Sequence, residues 1–294
     1  MAETVGFVGL GVMGRPMALN LLKGGFPLVV HNRSRGPVDA LVSAGASAAP
    51  SAADVAHRSG VVITMLPDSP DVQLVLEGPG GVFEGMRAGT AVVDMSSISP
   101  IVARELAEEA ASRGAVMLDA PVSGGEVGAV NATLSIMVGG DREALERVRP
   151  ILAAMGSRII HIGPPGAGQL CKVCNQIAIG GALAVVSEVM ALARKAGLDP
   201  APIREALLGG FASSRVLEVH GERILQKNYK PGFRTSLYHK DMGIALRTAR
   251  AYDVPMPVSA VVQQLVNALM AAGRGDLDYS ALATVLFDLA GIKD

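Results

Sequence analysis

The stretch Thr4-Val5-Gly6-Phe7-Val8-Gly9-Leu10-Gly11-Val12-Met13-Gly14 decides the fold. Thr4–Val8 is mostly β-branched or aromatic and reads as a short buried strand, and helical spacing begins directly after the loop with Met17, Leu21 and Leu22. Three glycines lie between strand and helix, each with its own reason. Gly9 permits the tight turn, Gly11 lets a pyrophosphate approach the backbone, and Gly14 lets the helix pack on the strand with the phosphate facing the helix N-terminus. Gly9, Leu10, Gly11, Val12, Met13 and Gly14 are therefore expected to cradle a dinucleotide cofactor.

Outward from this stretch, the same alternation continues. Pro27–His31, Val61–Leu66, Ala91–Met95, Ala115–Asp119, Leu134–Val138 and Arg158–Ile162 are strand candidates, and most are separated by helix-length segments such as Val12–Lys23 and Pro100–Arg113. This predicts an α/β fold with an open, doubly wound, mostly parallel sheet covered on both faces. After Gly163-Pro164-Pro165-Gly166 no convincing strand remains, and apolar residues recur at helical spacing. Helices are expected over Gln169–Lys195, Pro202–Leu208, Ser214–Gln226, Leu237–Tyr252, Val258–Ala272 and Tyr279–Ala290. The expected organisation is a cofactor-binding domain over 1–162 and an all-helical domain over 163–294 that begins with a long helix, with a cleft between the two.

Composition narrows the classes. Half of the 294 residues are apolar, which favours a globular protein over a disordered one, and 35 glycines with no Trp leave the core to small aliphatic side chains. A net charge of -1 from 26 basic and 27 acidic residues gives no footprint for nucleic acid or an anionic membrane. Two cysteines exclude a disulfide framework, and with no basic leader ahead of Gly9 a cytoplasmic protein is expected. The apolar run Ile177–Val186 is about half the length of a membrane span and is expected to be a buried helix.

Cofactor preference is readable at the second strand end. An acidic residue there holds the ribose hydroxyls of NAD. This chain has His31-Asn32-Arg33-Ser34 instead, so Arg33 and Ser34 favour the 2′-phosphate of NADP(H), while Asn32 leaves NAD(H) tolerable. Ligands of doubly wound sheets sit outside the carboxyl ends of strands. Met65, Leu66 and Pro67 are therefore expected to wall the cofactor, and Ser96 to offer a hydroxyl and an amide near the nicotinamide riboside.

Asp119-Ala120-Pro121-Val122-Ser123-Gly124-Gly125-Glu126 ends a strand with a hydroxyl and two glycines, which makes either an anion nest for a substrate carboxylate or an ordinary strand-to-helix turn. Hydride transfer to a carbonyl leaves charge on oxygen, so a positioned acid is needed that also acts as base in reverse. Lys172 lies at the beginning of the long helix, and Asn175 is three residues on, hence on the same face.

These residues, with Gly6–Gly14, Thr64-Met65-Leu66-Pro67, Asp94–Ile98, Asp119–Glu126, Gly166-Ala167-Gly168 and Lys230–Arg234 with Lys240-Asp241, resemble the β-hydroxyacid dehydrogenase family along essentially the whole chain. The resemblance implies an N-terminal Rossmann-type domain, an all-α C-terminal domain, and a homodimer or homotetramer. It makes Lys172 the catalytic general acid and base. Ser123, Gly124 and Gly125 would take the substrate carboxylate, Asn175 would help hold the substrate, Phe233 would close the pocket, and Lys240 would reach cofactor and substrate. Met95–Ile98, Ser123–Glu126 and Gly209–Ser214 are most similar to the branch that reduces tartronate semialdehyde to glycerate with NADPH. Oxidation of 3-hydroxyisobutyrate, and reduction of succinic or glyoxylic semialdehyde, are the alternatives within the family. Outside it stand an imine reductase and a non-catalytic dinucleotide-binding protein, both disfavoured by the presence of Lys172.

Ala132 departs from the family, which has glycine there, and affects only a local turn. Cys171 and Cys174 spell a dithiol spacing, but with no second pair they are expected to be packing residues, and the scattered histidines offer no metal spacing.

Overall fold

The computed structural model describes residues 3–292, and the chain divides into two compact units, one running to Lys172 and the other from Val173. In the first unit the elements follow in the order β1 (Val5–Val8), α1 (Gly14–Lys23), β2 (Leu28–His31), α2 (Arg35–Ser43), β3 (Ser47–Ala48), α3 (Ala52–His57), β4 (Val61–Thr64), α4 (Ser69–Glu77), α5 (Val82–Gly85), β5 (Ala91–Asp94), α6 (Pro100–Ser112), β6 (Val116–Asp119), β7 (Val122–Ser123), α7 (Gly125–Val130), β8 (Leu134–Gly139), α8 (Arg142–Ala153) and β9 (Gly156–Gly163). The first turn and a half of α9 (Ala167–Lys195) also belongs to this unit.

The sheet order is β3-β2-β1-β4-β5-β6-β8-β7, with β9 on β8. The β1, β2, β4, β5 and β6 ladders are parallel and in register, so their carboxyl ends align at Val8, His31, Thr64, Asp94 and Asp119. Alternate side chains enter different cores. Val5, Phe7, Val30, Ile63 and Val93 pack with Met17 and Leu21 of α1, whereas Val29, Val62, Val92 and Met117 pack with Val55 of α3 and Leu106 of α6. That two-sided burial is why the strands read as continuous apolar runs. Beyond β6 the direction changes, since β8 pairs antiparallel with both β6 and β7. β3 and β7 have two residues each, too short to carry a pattern, and were not among the expected strands.

The second unit takes the rest of α9, then α10 (Pro200–Leu208), α11 (Arg215–Leu225), α12 (Thr235–Ala251), α13 (Pro257–Ala271), a 3-10 turn at Tyr279–Ala281 and α14 (Leu282–Leu289). Its core joins Leu183 and Met190 of α9 to Leu217, Tyr238, Met242, Val266 and Phe287. The helix expected over Tyr279–Ala290 is split, because Asp278 caps the 3-10 turn by accepting from the Ser280 amide and hydroxyl. At 29 residues α9 is long and apolar enough, by length and composition, to cross a membrane, although Ser187 and Glu188 interrupt its apolar run. Leu183, Ser187 and Met190 are fully buried, and the Ser187 hydroxyl is satisfied by the Leu183 carbonyl.

Candidate active site

The glycine loop leaves β1 at the carboxyl end of the sheet. Gly9 has φ +99°, and a Cβ there would lie 2.3 Å from the Met65 carbonyl oxygen. Gly14 is tighter, since a Cβ would come within 1.9 Å of the Gly9 oxygen. At Gly11 it would meet nothing within 4 Å. The protein's own packing thus requires two of the glycines, and the third leaves open space beside the start of α1. That helix has no side-chain cap and no acid in its first turn, so no side-chain charge opposes its dipole at the opening, although the Arg15 and Met17 amides are taken by the Gly11 and Met13 carbonyls. On room and on charge the pyrophosphate of a dinucleotide fits. Leu10 is buried, Val12 is exposed and Met13 packs on the first core.

At the end of β2, Asn32 accepts the Leu10 N–H on Oδ1 at 2.9 Å and donates to Ser34 Oγ at 2.8 Å. Asn32 and Ser34, expected to face the cofactor, are thus engaged with each other and with the glycine loop, which they hold against β2. Arg33 between them is exposed and has no protein partner among the described residues, leaving its guanidinium available to a phosphate.

Beyond β4, Met65 and Leu66 are half-buried and Pro67 is exposed. Ser96 departs from expectation. It is fully buried, and its hydroxyl donates to Asp94 Oδ1 at 2.6 Å and accepts from the Leu66 amide at 2.9 Å. The hydroxyl therefore fastens the β4 and β5 strand ends to each other instead of pointing at a ligand.

The turn after β7 is built for close backbone approach: Gly124 has φ +137° and Gly125 φ +62°, both unfavourable for other residues. The first amides of α7 have no acceptor within the helix, and Ser123 beside them is half-buried. Lys172 Nζ donates to the Val122 carbonyl at 2.9 Å, so the ammonium sits one peptide from Ser123. α9 starts two residues before the expected Gln169, and Lys172 lies in its second turn. The cause is Asp119, whose carboxylate accepts from the Gly166 and Gln169 amides, both at 2.7 Å. Burial pushes the Asp119 carboxyl up to about 6, against the pull of those two donors. Gln169, fully buried, donates to the Ser96 carbonyl at 2.8 Å and accepts from the Ile98 amide at 3.1 Å. Asp119 and Gln169 escaped the sequence reading as site residues. The available signals were a carboxylate ending a buried strand and a Gln three residues after Gly166.

In the second unit, Asn175 Nδ2 donates to Gln176 Oε1 at 2.7 Å, Gln176 Nε2 donates to Asp241 Oδ2 at 2.6 Å, and Lys240 Nζ pairs with Asp241 Oδ1 at 3.0 Å. Two expected substrate contacts, Asn175 and Lys240, are thus linked through buried Gln176 and Asp241, neither of which was a candidate. Phe233 is half-buried, edge-on to Tyr279 at 5.7 Å between centroids, with its amide on Asp278 Oδ2. Cys171 is half-buried and Cys174 exposed, and no cluster of metal-binding side chains occurs among the described residues.

Comparison with known proteins agrees with this geometry. Residues 4–163 match the NAD binding domain of 6-phosphogluconate dehydrogenase, and residues 166–286 match the NAD-binding domain of NADP-dependent 3-hydroxyisobutyrate dehydrogenase. The 2-hydroxy-3-oxopropionate reductase of Escherichia coli (strain K12) is 46% identical over 98% of this chain and 99% of its own. The NAD-dependent L-serine dehydrogenase of Pseudomonas aeruginosa is 40% identical over 97% of this chain and 98% of its own. The solved structure of Mycobacterium tuberculosis 3-hydroxyisobutyrate dehydrogenase with L-serine superposes with a TM-score of 0.90 at 34% identity, covering 97% of this chain and 99% of that one. The glycine loop, the parallel sheet and these whole-length matches place the chain in the β-hydroxyacid dehydrogenase family of NAD(P)-dependent dehydrogenases and reductases.

Proposed function

We propose that the protein reduces a small carboxylate-bearing aldehyde with NADPH, tartronate semialdehyde to glycerate foremost, with Lys172 as general acid and base. The observation that carries this reading is the Lys172 ammonium at 2.9 Å from the Val122 carbonyl, beside the Ser123-Gly124-Gly125 turn. Ser123 and the glycine amides take the carboxylate, a group that does not react. NADPH, when bound along the glycine loop, supplies the hydride. An ammonium has three donors, and the Val122 carbonyl orients one of them. Lys172 gives a proton to the carbonyl oxygen, where charge would otherwise develop, and recovers it in alcohol oxidation. Asn175, Phe233 and Lys240 of the second unit are proposed substrate contacts, with Lys240 also on the cofactor. The reading supports a 1–162 cofactor domain and a 163–294 substrate and oligomerisation domain.

NADPH oxidation measured with tartronate, methylmalonate and succinate semialdehydes and with glyoxylate tests the substrate. Tartronate semialdehyde is expected to give the highest kcat/KM, and another aldehyde ahead of it by about tenfold would overturn the choice. The names of two similar proteins favour oxidation of L-serine as a second reading, so L-serine with NAD+ belongs in the same panel.

Arg33→Ala is expected to weaken NADPH binding about ten- to a hundredfold, the loss of charge-assisted bonds worth about 1.5–3 kcal/mol, while NADH binding changes little. Titration of cofactor fluorescence measures both, and equal losses would remove the phosphate assignment. Ser123→Ala is expected to raise the KM of the acid aldehyde more than it lowers kcat, because the hydroxyl holds a bystander group in ground and transition states alike. Steady-state kinetics that leave KM unchanged would reduce Ser123 to a turn residue.

A further inference from the structure

We propose that Asp119 is a positioning residue for Lys172: its buried carboxylate caps the start of α9 from outside the helix and thereby fixes the rotation at which Lys172 meets Val122. The inference rests on the reading of Lys172 as the proton donor.

The N-terminus of α9 has no side-chain cap of its own. Gly166, which precedes the first helical residue, has φ +84° and no side chain to cap with. The spacing Gly166-Ala167-Gly168-Gln169 is that of a capping box, in which the first residue's side chain accepts the fourth residue's amide and the fourth residue's Gln or Glu reaches back. Here Asp119 performs both functions alone, with Oδ1 on the Gly166 amide and Oδ2 on the Gln169 amide. Gln169 is thereby released, and its side chain reaches across to Ser96 and Ile98 after β5. The helix start is pinned to two strand ends, β6 through Asp119 and β5 through Gln169. Lys172 is three residues beyond Gln169 and on the same face, so a helix held at Gln169 is held at Lys172.

The fit leaves no slack. A Cβ at Gly168 would fall 2.4 Å from the Met137 carbonyl and 2.6 Å from the Asp119 carbonyl, so α9 touches β6 and β8 backbone to backbone. Among the charged groups on the elements around Asp119, Asp94 on β5 acts on it through charge, Arg104 on α6 lies beside Gly166 and Lys172 is on α9, while Glu105 and Glu108 of α6 are exposed. Asp94 and burial both raise the Asp119 carboxyl, which titrates at about 6. Below that pH the group is neutral and one of its two oxygens becomes a hydroxyl donor, so one amide keeps its acceptor, the other loses it, and the cap is weakened. For global stability the sign is opposite. A carboxyl raised above its ordinary 3.8 contributes stability that is full below that value and lost as pH rises through about 6. Acid loosening of α9 is therefore local, not general unfolding driven by this group.

The test compares wild type, Asp119→Asn and Lys172→Ala, using NADPH and whichever of tartronate, methylmalonate and succinate semialdehydes the wild type reduces fastest, a direction in which Lys172 must carry its proton and imposes no acid limb of its own. Wild-type kcat should fall on the acid side with an apparent pKa near 6. Asp119→Asn should lower kcat about ten- to a hundredfold, leave KM and cofactor affinity within about threefold, and erase that acid limb. Hydrogen exchange of the peptides spanning 164–172 gives a readout that needs no substrate. After correction for intrinsic rates, exchange should accelerate about tenfold or more in wild type between pH 7.5 and 5, and should be fast at both pH values in Asp119→Asn. Wild-type exchange and kcat that do not change through pH 6 would overturn the proposal, even if the variant failed to fold. A folded Asp119→Asn with wild-type kcat and acid limb would also overturn it. If Lys172→Ala keeps its turnover while the exchange pattern holds, the failure belongs to the lysine assignment and not to the cap.

Discussion

Replacing Lys172 with Ala is expected to lower turnover by about a hundred- to ten-thousandfold, the usual worth of a positioned general acid, or about 2.7–5.4 kcal/mol of barrier. The side chain is half-buried and its ammonium is held at 2.9 Å from the Val122 carbonyl, so the variant removes the proton and leaves the orienting carbonyl in place. NADPH affinity should change little, because the glycine loop and Arg33 lie elsewhere in the same unit, and the Lys172 ammonium donates to the Val122 carbonyl. Single-turnover reduction of the aldehyde, followed by loss of cofactor absorbance, separates the hydride step from product release. Turnover retained within about tenfold would refute the role, and Lys240 would be the next residue to replace.

Gly14→Ala and Gly11→Ala should fail in different ways. At Gly14 the new Cβ would need the space of the Gly9 carbonyl oxygen, 1.9 Å away, with Phe7 close behind at 3.1 Å. Neither neighbour is a flexible side-chain end. α1 must move off β1, at a cost of about 3 kcal/mol or more for an overpacked core, which lowers the Tm by roughly 5–10 °C in a unit of this size. At Gly11 the Cβ enters open space, and the Tm should stay within about 1 °C. The same methyl would occupy the approach proposed for the pyrophosphate, so NADPH affinity should fall about tenfold or more without any loss of stability. Calorimetry beside cofactor titration distinguishes the two. A destabilised Gly11→Ala, or a stable one with full affinity, would contradict the assignment of that space to the cofactor.

Much of this protein was legible because its decisive elements are local. Strand, glycine loop and helix occupy consecutive residues, and the tightness at Gly14 follows from its contact with Gly9 within that one turn. The absence of an acid at the end of β2, where Arg33 stands, is an equally local feature. The helical half announced itself by periodicity, which needs only neighbours three and four apart. The sequence itself determined the order of the layers, the strand, glycine loop and helix at the start of the first unit, and the positions of Lys172 and the glycine turn near it.

What it left open depends on residues brought close from far along the chain. Asp119 meets Gly166 and Gln169 across 47 and 50 positions, Gln169 meets Ser96 across 73, and Gln176 meets Asp241 across 65. No periodicity connects such pairs, because which polar groups meet in the interior is settled only when parallel strand ends line up and a helix lands on them. Asn32 and Ser96 show the reverse side of this. Their positions were predicted from strand ends, but each side chain has partners in the protein, Ser96 because burial obliges it to and half-buried Asn32 because the Leu10 amide lies within reach. The sequence alone placed Lys172 on a helix. Only the tertiary structure, through a buried carboxylate from another strand, decided where that helix starts and which way the lysine faces.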